Sequence, residues 1–272
     1  MLQFLGSHQA SSRSSGRSIV APLLVAAMVT CLTGCETAPP ADRQSLVNGY
    51  ADYDAHRFTE ARNAANQYVT RYPKDPHLDE AFYLRGLSAM ALHQSVQATD
   101  DLTAAARVST HPELKGKANR ALADLAFDAQ HFGEAAQLYQ TALQQAPALQ
   151  NEAAVNYRLG AALQAIGQWN AATEPLHRAA SGHGDAGLTA RANERLGVTH
   201  FALQFEASRS LTAASAYNVK LLGLGVHART EVEVRGGQRL FTVRSGSYRT
   251  YADAAAARDR LTVSFPLVTI VP

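Results

Sequence analysis

Two cysteines, three methionines and a single tryptophan are all that 272 residues contain of those types. Both cysteines, Cys31 and Cys35, lie near the start, so nothing after residue 35 can supply a disulfide, a thiolate metal ligand or a cysteine nucleophile. Long apolar runs are missing too. The longest, Ile19 to Val29, falls short of the about 20 residues that a membrane span needs. The ten histidines include no H-E-x-x-H pair and no His/Cys cluster, and no Ser-His-Asp order stands out, which leaves metal binding and acyl transfer without a site. With 25 Lys/Arg against 23 Asp/Glu there is no basic excess of the kind that holds nucleic acid. Gly182-His183-Gly184-Asp185-Ala186-Gly187 spells a phosphate-loop pattern, but it follows no strand and opens no βαβ unit. The chain is therefore read as a non-enzyme, with no cofactor, no metal and no nucleic-acid partner.

What the first residues do contain is ordered. Arg13 and Arg17 precede the apolar run, and the run leads into Leu32-Thr33-Gly34-Cys35. A charged n-region, a short h-region and a small-residue cleavage site make residues 1–34 a signal peptide. The last four of these residues resemble the lipobox of bacterial lipoproteins. That resemblance implies lipidation of Cys35, a tether over 35–40, and, with Glu36 next, sorting to the periplasmic face of the outer membrane. Several acyl chains make such an anchor durable where one would not. Removal of residues 1–34 takes away two arginines and leaves 23 basic and 23 acidic residues. The balance is uneven: residues 36–199 hold 14 basic and 18 acidic side chains, residues 200–272 hold 9 and 5. That break supports two domains.

Residues 41–198 repeat. Ala61, Ala98, Ala135 and Ala172 are 37 residues apart, each preceded by twelve positions by Gly49, Gly86, Ala123 or Gly160 and by three positions by Phe58, Ser95, Phe132 or Trp169. Small residues at two fixed places with an aromatic between them suit helical hairpins, whose helices approach closely only where side chains are small. The pattern resembles the tetratricopeptide (TPR) repeat, best in the fourth copy, while Ser95 departs from it. Four hairpins and a fifth capping helix, about Leu188 to Gly197, are expected. The run from Arg71 to Pro76 with Ala81 to Gly86 also looks like repeats of envelope lipoproteins that serve outer-membrane assembly or wall synthesis. If the first helix of each hairpin lines the concave face, as in that family, a partner groove forms from Tyr50, Tyr53, Tyr83, Arg120, Phe127 and Tyr157. Tyrosine suits such a surface because it joins apolar area to a polar tip.

From residue 199 the period changes. Phe201, Leu203 and Phe205 alternate with Ala202, Gln204 and Glu206, which marks a strand with one covered face. A helix over Leu211 to Leu222, strands over Val226 to Val234 and Leu240 to Ser245, a helix over Tyr251 to Val263 and a strand over Leu267 to Val271 complete a βαββαβ order. Gln204 and the segment Val243-Arg244-Ser245-Gly246-Ser247-Tyr248 resemble the SPOR domain, an RNP-like module that binds peptidoglycan glycan strands lacking stem peptides. On that resemblance the glycan-binding set is Gln204, Glu206, Thr242, Arg244 and Tyr248. Glu206, Ser208 and Thr242 depart from the family pattern.

The sequence thus predicts an α-helical TPR solenoid followed by a small α+β domain over 199–272. The expected function is an outer-membrane-anchored scaffold that grips glycan strands and recruits an envelope protein or peptide, in division or wall remodelling and enriched at the septum. The alternative is an assembly-complex lipoprotein working by protein contacts alone. With about six residues of tether, roughly 20 Å fully extended, and almost no linker near Val198, the solenoid itself is the expected spacer.

Overall fold

A computed structural model of the chain describes residues 37–182, 186–235 and 237–272. The signal segment, Cys35, Glu36 and the middle of the 182–187 glycine pattern lie outside these residues. Among the described residues, eight helices form four antiparallel hairpins: α1 (Pro40–Asp54) with α2 (Phe58–Arg71), α3 (Leu78–Ala91) with α4 (Ser95–Val108), α5 (Pro112–Asp128) with α6 (Phe132–Gln145), and α7 (Ala153–Ala165) with α8 (Trp169–Ser181). A ninth, α9 (Ala186–Arg195), covers the last hairpin. The chain folds as a TPR solenoid.

The expected small residues sit where the helices meet. Ala61, Ala98, Ala135 and Ala172 are fully buried. A Cβ on Gly86 would come within 2.8 Å of Leu102 Cγ, and one on Gly160 within 2.6 Å of Leu176 Cγ, so any larger residue would push the paired helices apart. The turns inside the hairpins obey the same period through a feature the residue pattern hides. His56, His93, Gln130 and Gly167, each 37 residues from the next, all have left-handed φ, of 60°, 58°, 62° and 77°. The following residue returns its N–H to the carbonyl five positions earlier, as in Gln94 N–H to Ala89 O at 2.9 Å and Gln168 N–H to Leu163 O at 2.8 Å. This is the Schellman closure of a helix end. It normally uses glycine, and here three of the four positions do without it.

The C-terminal part is a four-stranded antiparallel sheet in the order β2-β3-β1-β4, built from β1 (Phe201–Ser208), β2 (Arg229–Arg235), β3 (Gln238–Tyr248) and β4 (Thr269–Val271). Helices α10 (Leu211–Gly223) and α11 (Tyr251–Leu261) cover one face, over a core that includes Leu203, Phe205, Leu221, Val243 and Phe265. Ser210 and Thr250 cap the two helices by accepting from Ala213 N–H and Asp253 N–H. Two strands start later than expected. Val226 N–H turns back to Leu221 O and Val268 N–H to Phe265 O, so the residues read as strand openings close turns instead.

Candidate functional site

The face of the sheet away from α10 and α11 carries a polar cluster centred on Arg244. Gln204 on β1 pairs in register with Arg244 on β3, and on the other side of β3 Arg229 of β2 is opposite Arg244. Arg244 Nε and Nη2 donate to Gln204 Oε1 at 3.2 and 3.1 Å, Nη1 to Glu231 Oε2 at 3.3 Å, and Nη2 to Glu233 Oε2 at 2.8 Å. Arg229 binds Glu231 from its far side. The cluster thus offers two carboxylates, a guanidinium and an amide, a mixture of donors and acceptors that matches hydroxyl groups. The two glutamates come from β2, and an alternating strand pattern does not announce which neighbour its polar residues will meet.

The five residues singled out from sequence are not equivalent. Gln204 and Arg244 touch. Thr242 is 1% exposed, with its Oγ1 donating to Glu231 O at 3.5 Å, so its hydroxyl is closed off from an incoming ligand. Glu206 is half-buried and, because β1 is irregular between Gln204 and Glu206, comes opposite Val243 instead of Thr242. Tyr248 is committed elsewhere. Its ring packs against the domain core and the solenoid, and lies over Gly246, where a Cβ would be 2.3 Å from it.

The candidate groove divides in two. Towards its first repeats, Tyr53, Leu87, Met90, Arg120 and Asp124 line an open cavity of about 320 Å³. Arg120 Nη1 binds Asp124 at 3.0 Å, Asp124 also accepts from Tyr139 at 2.6 Å, and Arg120 Nε is buried without a partner among the described residues. Burial, opposed by Asp124 and Tyr83, leaves the Arg120 pKa raised on balance. Tyr50 donates to Glu80 O at 3.0 Å, and Tyr83, 8% exposed, belongs to the core between repeats; burial raises both phenols. Tyr157 lies under the guanidinium groups of Arg191 and Arg195.

At the other end the chain fills its own groove. Phe201 packs on Trp169 with ring centroids 5.1 Å apart, Tyr251 meets Phe132 edge-on at 5.2 Å, and Trp169 Nε1 donates to Arg249 O at 3.0 Å. Gln130 adds a bond to the Tyr251 hydroxyl at 3.1 Å. A cavity of about 350 Å³ remains between Phe127, Ala161 and Arg195 of the solenoid and Tyr251, Ile270 and Pro272 of the sheet domain. Phe132 and Trp169 were visible only as the repeat's aromatics; their second role, receiving Phe201 and Tyr251, has no signature in the pattern. The contact uses one end of the sheet and leaves the Arg244 face outside it.

A further polar site lies next to the start of α1. Asp75 is 4% exposed, and it accepts from Ala38 N–H at 2.6 Å, Tyr68 Oη at 2.8 Å and His77 N–H at 2.8 Å. Burial raises its pKa, but these bonds prevail and hold the carboxyl down at about 2. These bonds tie Ala38 to the loop between α2 and α3.

Residues 37–125 match the family described as YfiO, outer membrane lipoprotein, and residues 197–268 match the SPOR domain. None of the curated proteins compared with the chain matches it. Among solved structures, YrrB, titled a TPR protein with an unusual peptide-binding site, is similar at 18% identity and a TM-score of 0.45, over 57% of this chain and 75% of that one. A crystal structure of MamA is similar at 18% identity and a TM-score of 0.43, over 51% and 70%.

Proposed function

From a chain that carries repeats of the YfiO outer membrane lipoprotein type and a C-terminal SPOR domain, we propose an envelope scaffold that is lipid-anchored through Cys35, binds peptidoglycan glycan strands on the Arg244 face, and holds a protein segment in the open half of its groove. The observation that carries the glycan reading is the cluster of Gln204, Glu231, Glu233 and Arg244 on the uncovered face of the sheet. Sugar hydroxyls both donate and accept, and this set supplies partners for both; with Arg229 beside Glu231, its two carboxylates and two guanidinium groups balance, so it does not demand a charged ligand. The groove reading rests on the open cavity in which apolar Leu87 and Met90 stand beside Tyr53 and the Arg120 guanidinium.

The test is cosedimentation of the soluble chain, from residue 36, with purified sacculi. The chain should pellet with sacculi, and Arg244→Ala should weaken binding about tenfold, the loss expected for one charge-assisted contact of about 1.4 kcal/mol. Because that variant also takes a cation away from Glu231 and Glu233, Arg244→Ala with Glu231→Gln and Glu233→Gln separates lost contact from repulsion. If stability returns in the triple variant and binding does not, Arg244 acts on the glycan. A fusion to a fluorescent protein should form a midcell band in dividing cells if the bound strands are septal.

One observation favours the second reading, protein contacts alone: each guanidinium nitrogen of Arg244 already has an intramolecular partner. A wild-type chain that stays in the supernatant would select it.

A further inference from the structure

The convex side of the solenoid differs from one repeat junction to the next. Between the first two hairpins, the space framed by α2, α3 and α4 is filled with polar side chains. Arg85 binds Asp101 through Nε at 2.9 Å and Nη2 at 2.6 Å and reaches Asn66 at 2.8 Å, while Arg62 binds Gln94 at 2.7 Å. A shift of 37 residues carries Arg62, Asn66, Arg85 and Asp101 onto Thr99, Thr103, Leu122 and Leu138. None of these can rebuild the bridge. The same shift carries Phe58 onto Ser95, the one repeat position where the helix-opening aromatic is missing. The outcome is an open cleft of about 910 Å³ between α4 and α6, floored by Leu122 and Leu125 of α5 and by Ala129 just after it. Val96, at its mouth, is 79% exposed. Asp128 and Glu134 stand on its rim, and no lysine or arginine lines it.

A second surface lacks a cover. Helix α10 buries Ala214 and Leu221 on the sheet, yet Leu211, Val219 and Leu222, which fall on one stripe of its outer side, are 53%, 70% and 56% exposed. Leu224 just beyond the helix is 59% exposed, and Val232 on the edge strand β2 is also 59% exposed. A helix apolar on both sides is one that something covers, and a patch of this kind marks an interaction surface. Helix α10 has one lysine and no carboxylate, and its domain carries 9 basic against 5 acidic residues, whereas the cleft is rimmed by carboxylates.

We infer that the cleft between α4 and α6 receives the outer face of α10 from a second copy of this chain. The apolar stripe covers Leu122, Leu125 and Leu138, and the excess positive charge of one copy's C-terminal domain faces the acidic rim of the other's solenoid. The two surfaces are different, so the contact is head-to-tail and extends from copy to copy. It does not depend on glycan binding.

Sedimentation velocity and light scattering on the chain from residue 36 test this. Wild type should rise in mean mass above the monomer between about 10 µM and about 1 mM, the range of small, weak interfaces. Leu122→Arg with Leu138→Asp installs the ion pair that closes the first junction, and Val219→Glu with Leu222→Glu charges an exposed stripe; Leu122 and Leu138 are half-buried against the core, so circular dichroism checks that the first variant folds, and each should weaken self-association about tenfold or more. Mixed in equal amounts, the two variants retain one intact cleft and one intact α10 between them and should form a two-chain complex that grows no further. A wild type that is monomeric throughout, variants that associate as wild type does, or a mixture of variants that stays monomeric would each overturn the proposal. So would a cleft occupied only by a different protein.

Discussion

Acid should release the start of the solenoid before it unfolds the rest. The Asp75 carboxyl stands well below its ordinary range, its pKa lowered from 3.8 to about 2. A carboxyl group with a lowered folded pKa contributes its stability in full above the unfolded value and loses it as pH falls through the folded one. The window is therefore from about pH 4 down to about pH 2, and the shift corresponds to about 2 kcal/mol at most. Asp75→Asn removes the charge and turns an amide donor towards one of the three donors Ala38 N–H, Tyr68 Oη and His77 N–H. Urea unfolding of both proteins at a series of pH values isolates the effect, because all other carboxylates are common to the two and cancel in the difference. The variant should be less stable at neutral pH, and the gap should close by about 2 kcal/mol as the wild type is acidified. Curves that stay parallel across the window would refute the role given to Asp75.

Trp169→Ala removes the ring under Phe201 and the bond to Arg249 O; the loss, about 3 kcal/mol, should split one calorimetric transition into two, and a single unsplit transition would mean that the contact does not couple the parts. Gly246→Ala meets both a φ of 80° and the Tyr248 ring, so it should cost about 1–3 kcal/mol and lower the melting temperature; an unchanged Tm would mean that Tyr248 moves freely. Cys35→Ser should leave the protein unprocessed or release it from membranes, and unaltered fractionation and processing would count against the lipid anchor.

The solenoid was legible because its constraint is local and periodic. A small residue every 37 positions is needed wherever two helices touch, and the contact at Gly160 repeats the contact at Gly86. The βαββαβ order was legible for the same reason, since alternation at Phe201 to Glu206 reports a covered face wherever the cover comes from. The polar cluster was half legible. Gln204 and Arg244 carry a family pattern, but Glu231 and Glu233 become partners only through the pairing of β2 with β3. What stayed hidden depends on a single long-range meeting. Nothing in Tyr251 distinguishes a tyrosine that packs on Phe132 from one on a surface, and nothing in Asp75 indicates that Ala38, 37 positions earlier, will be its donor.

The seat of the sheet domain on Phe132 and Trp169 also has a mechanical meaning. Suppose the chain is pulled between a lipid at Cys35 and a wall strand at Arg244. The load leaves the sheet through Phe201 and Tyr251, crosses into α6 and α8 side-on, and runs through stacked hairpins to the bonds between Ala38 and Asp75. From Ala38 onward, among the described residues, that path runs through packed side chains and hydrogen bonds. A link without slack reports a change in spacing between membrane and wall at once, as tension, and its weakest joint is where such a signal would be felt.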